Sequence, residues 1–158
     1  MNRSRLLIAG GIAVGMLVVA QAIRPDRTNP VPDPALDVTA KTSIPADTAK
    51  LLYRACGDCH SDRTVWPWYS QITPVNWWIA GHVDEGRGEL NLSEWTYDDN
   101  KVRRKLDGIA HEVSEGDMPP AYYPPFHPET KLSDAERTAI TSWAKAELDK
   151  HENPAPAP

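Results

Sequence analysis

Cys56-Gly57-Asp58-Cys59-His60 is the stretch that decides how the rest of the chain is interpreted. It has the form Cys-x-x-Cys-His, which is the attachment motif of a c-type haem. In this chemistry the two thiols add to the haem vinyl groups, and the imidazole of His60 becomes the proximal ligand of the iron. Positions i, i+3 and i+4 lie on one side of a helix. The motif therefore predicts that Cys56, Cys59 and His60 face one porphyrin.

Three other kinds of site also use two cysteines at this spacing. A thioredoxin-like redox pair belongs beside a strand of a βαβ unit, and no βαβ pattern surrounds the motif. A zinc site would need a second pair of ligands, and the chain has only two cysteines. A disulfide would close a tight loop and leave His60 without a role. The context therefore favours haem.

The charge of the chain limits the class of partner. Residues 1–27 carry four basic side chains and one acidic side chain, whereas the remainder carries 13 basic and 21 acidic side chains, a net charge of −8 with histidine neutral. An acidic soluble part argues against binding to nucleic acid, because the phosphate backbone would repel it. The same charge allows an electrostatically steered encounter with a basic protein partner.

Residues 1–23 predict a signal peptide or an N-terminal membrane anchor. A basic N-terminus precedes an uncharged apolar run over residues 6–23, the order found in signal peptides. Ala20-Gln21-Ala22 resembles a cleavage site, and the run is also near the length that spans a bilayer. The sequence leaves cleavage near Ala22 and retention in the inner membrane equally open. Both place the rest of the chain on the periplasmic side.

The composition of the chain predicts the boundaries of the linker, the domain and the C-terminal tail. Five prolines and few large apolar residues over residues 24–45 predict an extended linker, residues 24–43, that packs no core. Residues 44–150 form the predicted haem-binding domain, and residues 151–158 form a predicted disordered tail.

Four helices are expected in the predicted domain. The first runs from about residue 45 into the motif, and the second starts with Thr73-Pro74 and ends near Gly86 or Gly88. The third runs over about residues 98–114, before a glycine at position 116. The fourth opens with a capping box at Ser133-Asp134-Ala135-Glu136.

Two side chains are candidates for the distal iron ligand. Met118 is the only methionine outside the N-terminal segment, and it lies in a proline-stiffened loop, whereas a core methionine normally fills a gap on a helix or strand. It is therefore the predicted distal ligand, and a His/Met haem has a raised potential that suits electron transfer. His82 is the alternative, because it falls on the predicted apolar stripe of the second helix. The other members of that stripe are Val75, Trp78, Ile79 and Val83.

In this order the elements resemble small class I cytochromes c. The shared features are a helix ending in Cys-x-x-Cys-His, a Gly-x-Met-Pro-Pro loop and a last helix opened by Leu-Ser-Asp-Ala-Glu. More narrowly, the chain resembles the bacterial haem-binding domain family of cytochrome c-like proteins. That likeness is carried by His60-Ser61-Asp62, Trp66-Pro67-Trp68-Tyr69, Pro74, Trp77-Trp78 and His82-Val83-Asp84-Glu85-Gly86-Arg87. The resemblance covers about residues 44–148. It implies an all-α fold around one covalently attached haem c, with His60 proximal and Met118 distal. The aromatic stretch and the long second helix depart from the shortest cytochromes c.

Together these features predict a monohaem c-type cytochrome that carries single electrons in the bacterial periplasm. The iron would cycle between the ferric and ferrous states, and the donor and acceptor would be redox proteins. The sequence thus predicts an electron carrier and not an enzyme. Two alternatives are a haem-based ligand or redox sensor from which Met118 leaves the iron, and a small peroxidase-like enzyme with His82 as distal base.

Overall fold

The computed structural model describes residues 2–153, and within them the chain is all-helical, with no strand. The prediction of an all-α fold is confirmed. The six α-helices are α1 (Arg3–Ala20), α2 (Val38–Lys41), α3 (Ala46–His60), α4 (Val75–Glu89), α5 (Asp99–Glu115) and α6 (Asp134–Glu152). Two 3₁₀ turns, Trp68–Gln71 and Pro128–Thr130, lie in the connections.

Several helix ends follow local capping chemistry. The Asp98 side chain accepts a hydrogen bond from the Lys101 amide at the start of α5, and Gly116 ends α5 with a φ of 85°. That left-handed conformation favours glycine. The capping box between Ser133 and Glu136 opens α6, as predicted. α4 ends at Glu89, one residue after Gly88 and close to its predicted end, and Gly86 lies inside the helix.

The core lies where α3, α5 and α6 meet. The fully or nearly fully buried apolar side chains include Leu52, Ala55, Leu106, Ile109, Ile140, Trp143 and Ala144. These positions recur at three- and four-residue spacing, so each helix turns one apolar face inward. The core therefore holds the last turns of α3, and with them the cysteine motif, against the packed pair α5 and α6.

The predicted linker contributes to this core, and the prediction that residues 24–43 pack no core is wrong for its C-terminal part. Val38 is completely buried. Its amide donates to the Leu92 carbonyl at 2.9 Å, and the Trp95 amide donates to the Leu36 carbonyl at 2.7 Å. Backbone hydrogen bonds and the Asp37 cap of α2 hold Val38 in place. One buried valine therefore anchors a segment that is otherwise poor in apolar residues.

Asp37 provides the first testable prediction. Its buried carboxylate accepts from Tyr53 and Arg63, both at 2.7 Å, and from the Thr39 amide and hydroxyl. Burial acts to raise the pKa of Asp37, but these hydrogen bonds and the Arg63 charge outweigh it and hold the pKa below its ordinary value of 3.8. Asp37→Asn is expected to lower the free energy of unfolding at pH 7 by about 1–3 kcal/mol, because Arg63 and Tyr53 lose a charged acceptor.

The pH dependence of this effect has a definite sign. Since the pKa is depressed in the folded state, the carboxylate stabilises the fold fully above 3.8 and loses this effect as the pH falls through the lower folded value. Urea unfolding should therefore show the gap between wild type and variant narrowing below that pH. Asp47→Asn is the control, because Asp47 pairs with Lys50 in solvent. Equal stabilities of the two variants would contradict the role given to Asp37.

The two ends of the chain bear on the predicted N-terminal anchor and on the predicted C-terminal tail. Within residues 2–153, α1 is the single helix long and apolar enough to cross a membrane, with a mean hydropathy of 1.6 and no buried residue. It suits either a membrane anchor or a signal sequence.

At the C-terminal end, α6 continues through Glu152, so the predicted disordered tail does not begin at residue 151. Residues 154–158 of that tail lie outside the described residues.

Candidate functional site

The last turn of α3 carries the cysteine motif. Cys56 and Cys59 are half-buried and free, so neither is committed to a disulfide. Burial, with a smaller effect of Cys59, raises the pKa of Cys56 to about 12. Burial and the neighbouring Asp58 charge raise the pKa of Cys59 to about 11. Both thiols are therefore protonated at neutral pH, which limits their oxidation because the thiolate is the reactive form.

His60 is held in one protonation state by two backbone carbonyls. Its Nδ1 atom lies 2.8 Å from the Gly86 oxygen and 3.1 Å from the Leu90 oxygen. A carbonyl only accepts, so Nδ1 must carry the proton. Burial lowers the pKa of His60 despite these two acceptors, which makes the ring neutral at neutral pH. A neutral ring protonated on Nδ1 has a free lone pair on Nε2, which is the form in which histidine binds a metal.

Gly86 lets α4 approach the motif at backbone distance. A Cβ atom built on Gly86 would lie 2.5 Å from the Cys59 carbonyl oxygen, closer than any side chain tolerates. The same residue supplies one of the two carbonyls that hold His60. Sequence reasoning used this glycine as a helix end and missed its packing role. The available signal was a glycine one turn after Val83, on the inward side of the helix.

Gly86→Ala is expected to lower the free energy of unfolding by about 1–3 kcal/mol, the usual cost of overpacking. The added methyl group must push α4 away from Cys59. Gly88→Ala is the matched control, because a Cβ atom there meets nothing within 4 Å, and alanine in a helix is favoured over glycine by up to about 1 kcal/mol. Denaturant unfolding of both variants measures the difference. Equal stabilities would show that α3 and α4 are not in close contact.

Arg87 fixes the backbone that follows the motif, a role that the sequence did not reveal. Its Nε donates to the Ser61 carbonyl at 2.9 Å, and its Nη2 donates to the Thr64 hydroxyl at 2.9 Å and to the Asn29 side chain at 2.8 Å. Its guanidinium also lies 3.8 Å from the buried Asp62 carboxylate. One side chain of α4 therefore joins the predicted linker to the loop that follows the motif.

Asp58, inside the motif, attaches the Met118 loop to α3. One carboxylate oxygen accepts from the Val65 amide at 2.9 Å, and the other accepts from the Tyr123 hydroxyl at 2.7 Å. Burial and this hydrogen bond raise the pKa of Tyr123 above its ordinary range, so the phenol stays a donor. Tyr123 follows Met118 by five residues, which brings the loop to the motif.

Met118 itself is half-buried and has a fixed backbone. Its amide donates to the Glu112 carbonyl at 3.1 Å, and its carbonyl accepts from Arg137 at 3.3 Å. The loop is therefore tied to α5 and α6 at one end and, through Tyr123, to the motif at the other. Distal ligation by Met118 stays a prediction, and the loop that carries it is held at both ends.

His82 lies at the half-buried edge of α4, between two aromatic rings. Its ring centroid is 4.4 Å from that of Trp78 and 5.9 Å from that of Tyr122. Its Nδ1 lies 2.8 Å from the Trp78 carbonyl, so Nδ1 carries a proton and, in the neutral ring, Nε2 is the free nitrogen. His82 remains the alternative distal ligand, and nothing in its contacts excludes that role.

The predicted apolar stripe of α4 is only partly correct. The buried residues of the helix are Asn76, Ala80, Val83 and Gly86, whereas Val75 and Trp78 are 38% and 53% exposed. The small side chains face α3 because bulky rings there would hold the two helices apart. The prediction that His82 faces the core is therefore wrong, and Trp78, the one tryptophan of the predicted stripe, lies at the surface.

Comparison with known proteins gives one match. A family model described as "Haem-binding domain" matches residues 15–146. No curated protein and no solved structure matches the chain. The matched range contains all of the residues described above as forming the site.

Proposed function

The chain belongs to the haem-binding domain family, and on that premise we propose that it is a monohaem c-type cytochrome that carries single electrons. Its fold is then of the class I cytochrome c kind, and its place is the periplasmic side of a bacterial inner membrane. When bound, haem supplies one-electron chemistry between the ferric and ferrous states of its iron. All other contributions come from side chains and backbone groups of this chain.

The state of His60 is the observation that carries the proposal. A half-buried, neutral imidazole whose Nδ1 donates to backbone carbonyls is oriented and made more basic, which is how proteins prepare a histidine ligand. The carbonyls of Gly86 and Leu90 provide this support. Two free, protonated thiols lie in the same helical turn. The donor set therefore fits a covalently attached haem, with Cys56 and Cys59 forming the thioether bonds.

The proposed distal ligand is Met118, and its support is the fixed loop. The loop is hydrogen-bonded to Glu112, to Arg137 and, through Tyr123, to Asp58. It should therefore change little in shape when the iron changes charge. Small reorganisation of this kind favours rapid electron transfer, and a thioether ligand raises the potential. His82 is the alternative ligand.

The electron donor and acceptor are proposed to be redox proteins, and the acidic charge of the domain favours basic partners.

The proposal is tested with the purified holoprotein. An electron carrier is expected to be six-coordinate and low-spin in both oxidation states, to exchange electrons rapidly with small soluble cytochromes in stopped-flow mixing, and to bind carbon monoxide slowly or not at all. Rapid carbon monoxide binding would instead support the sensor alternative. A high-spin ferric spectrum with peroxide turnover that is lost in His82→Ala would support the peroxidase-like enzyme.

A further inference from the structure

An uncharged aromatic stretch follows the motif. Residues 64–83 contain no Asp, Glu, Lys or Arg, although such residues make up 25% of the chain. Four of the six tryptophans lie in this stretch, and the other two, Trp95 and Trp143, are buried in the core. The four are therefore not needed to build that core, and their placement calls for another explanation.

Part of this stretch is exposed. Trp68 is 76% exposed, Ile72 44% and Trp77 40%, and Val75 lies between the last two in sequence with a similar exposure. We call these four residues the aromatic surface. An uncharged surface rich in tryptophan and aliphatic side chains is costly in water, and tryptophan prefers the boundary between water and lipid.

The C-terminal end of α1 is hydrogen-bonded beside the aromatic surface. The Gln21 side chain pairs with the backbone N–H and carbonyl of Thr73, each at 3.3 Å, and the Thr73 hydroxyl lies 3.5 Å from the Ala20 carbonyl. The Trp77 indole donates to the Ile23 carbonyl at 2.8 Å. Thr73 and Trp77 are therefore fixed at the point where α1 ends.

Basic side chains strengthen the same junction. Arg27 donates to the Ser70 carbonyl and to the Gln71 side chain, both at 2.8 Å, and Arg24 also donates to Gln71. Two cations next to an apolar surface suit the level of the phospholipid headgroups. No other position along α1 is joined to the domain by a side-chain hydrogen bond among the described residues.

The length of α1 sets the depth of this junction. Eighteen residues at about 1.5 Å each span about 27 Å, close to the roughly 30 Å thickness of the hydrocarbon core. If the basic N-terminus stays in the cytoplasm, Ala20 reaches the opposite boundary of the membrane. The groups hydrogen-bonded to the end of α1 must then lie at that boundary.

We infer that α1 is retained in the mature protein and that the aromatic surface lies in the interfacial region of the membrane that α1 crosses. The lipid bilayer is the partner of this surface. The inference rests on the proposed export of the domain and is independent of haem ligation. It gives the domain a fixed orientation on the membrane, with the first turn of α4 towards lipid.

Photocrosslinking to lipid tests this inference. The full-length holoprotein is reconstituted into vesicles of phosphatidylethanolamine and phosphatidylglycerol that contain a phospholipid with a diazirine near its glycerol group. After illumination, adducts are mapped by peptide mass spectrometry. No Lys or Arg lies between Arg63 and Arg87, so trypsin releases the aromatic surface in one peptide, and fragmentation places each adduct. Adducts are expected on residues 68–77 and on α1, and not on the exposed residues of α6.

Two variants, one inside the aromatic surface and one outside it, serve as test and control. Ile72→Glu is expected to reduce adducts on this peptide by about fivefold, because a carboxylate avoids the apolar side of the interface. Val31→Glu is the control, since Val31 is 95% exposed and lies outside the aromatic surface.

Lipid adducts confined to α1 would overturn the inference, as would a mature N-terminus near Ile23. Crosslinks between the aromatic surfaces of two copies, without lipid adducts, would assign the surface to a dimer instead. Each of these outcomes leaves the haem spectrum unchanged, so this inference and the proposed function can fail separately.

Discussion

Replacing both Cys56 and Cys59 by serine is expected to abolish covalent haem attachment completely. Serine hydroxyls do not add to the vinyl groups of haem, so no thioether bond forms. After export with an intact cytochrome c maturation system, the wild-type chain should keep its haem through denaturing electrophoresis. It should also show the mass of one added haem. The double variant should lose both signals, and each single variant should keep at most one thioether bond.

Asp58→Asn is the matched control for this experiment. It changes the motif without removing either thiol or His60, and the asparagine carbonyl replaces one of the two oxygens that accept from Val65 and Tyr123. This variant should retain covalent haem. A wild-type protein that is colourless under the same conditions would contradict the covalent c-type assignment, and the zinc and disulfide interpretations would then return.

Replacing Met118 by alanine is expected to lower the reduction potential by on the order of 0.1 V, a moderate part of the roughly 0.8 V range that axial ligands set. A thioether favours the ferrous state more than water or a nitrogen ligand does, so its loss stabilises the ferric state. Spectroelectrochemical titration measures the potential. The loop itself should persist, because its contacts to Glu112, Arg137 and Asp58 do not use the Met118 side chain.

His82→Ala is the control for the distal ligand. It removes the alternative ligand while leaving Met118 in place, and its half-buried position at the edge of α4 limits the structural cost. The reduction potential of this variant is expected to equal that of the wild type. A large change in His82→Ala together with no change in Met118→Ala would identify His82 as the ligand.

Local chemistry explains why several helix ends were predictable from sequence. The Asp98 cap, the Gly116 terminus and the Ser133–Glu136 box each depend on a few neighbouring residues. The motif itself is equally local, since its three reactive side chains lie within five residues. These features can be derived without knowing which helices meet.

Long-range contacts explain what the sequence did not show. The inward face of α4 was misassigned because hydrophobicity pointed to Trp78, whereas the approach to α3 required Gly86. The carbonyls that orient His60 come from residues 26 and 30 positions further along, and no pattern marks a backbone oxygen. Val38 was missed because a single apolar residue in a proline-rich segment carries no periodic signal.

The far-red absorption spectrum of the ferric protein tests the account most directly. A charge-transfer band from methionine sulfur to iron is predicted in the wild type and should disappear in Met118→Ala. Its presence would establish His60/Met118 ligation and leave electron transfer as the working function. A low-spin haem without the band would contradict Met118 ligation and point to His82. A high-spin haem without the band would contradict the carrier itself and favour an open distal site.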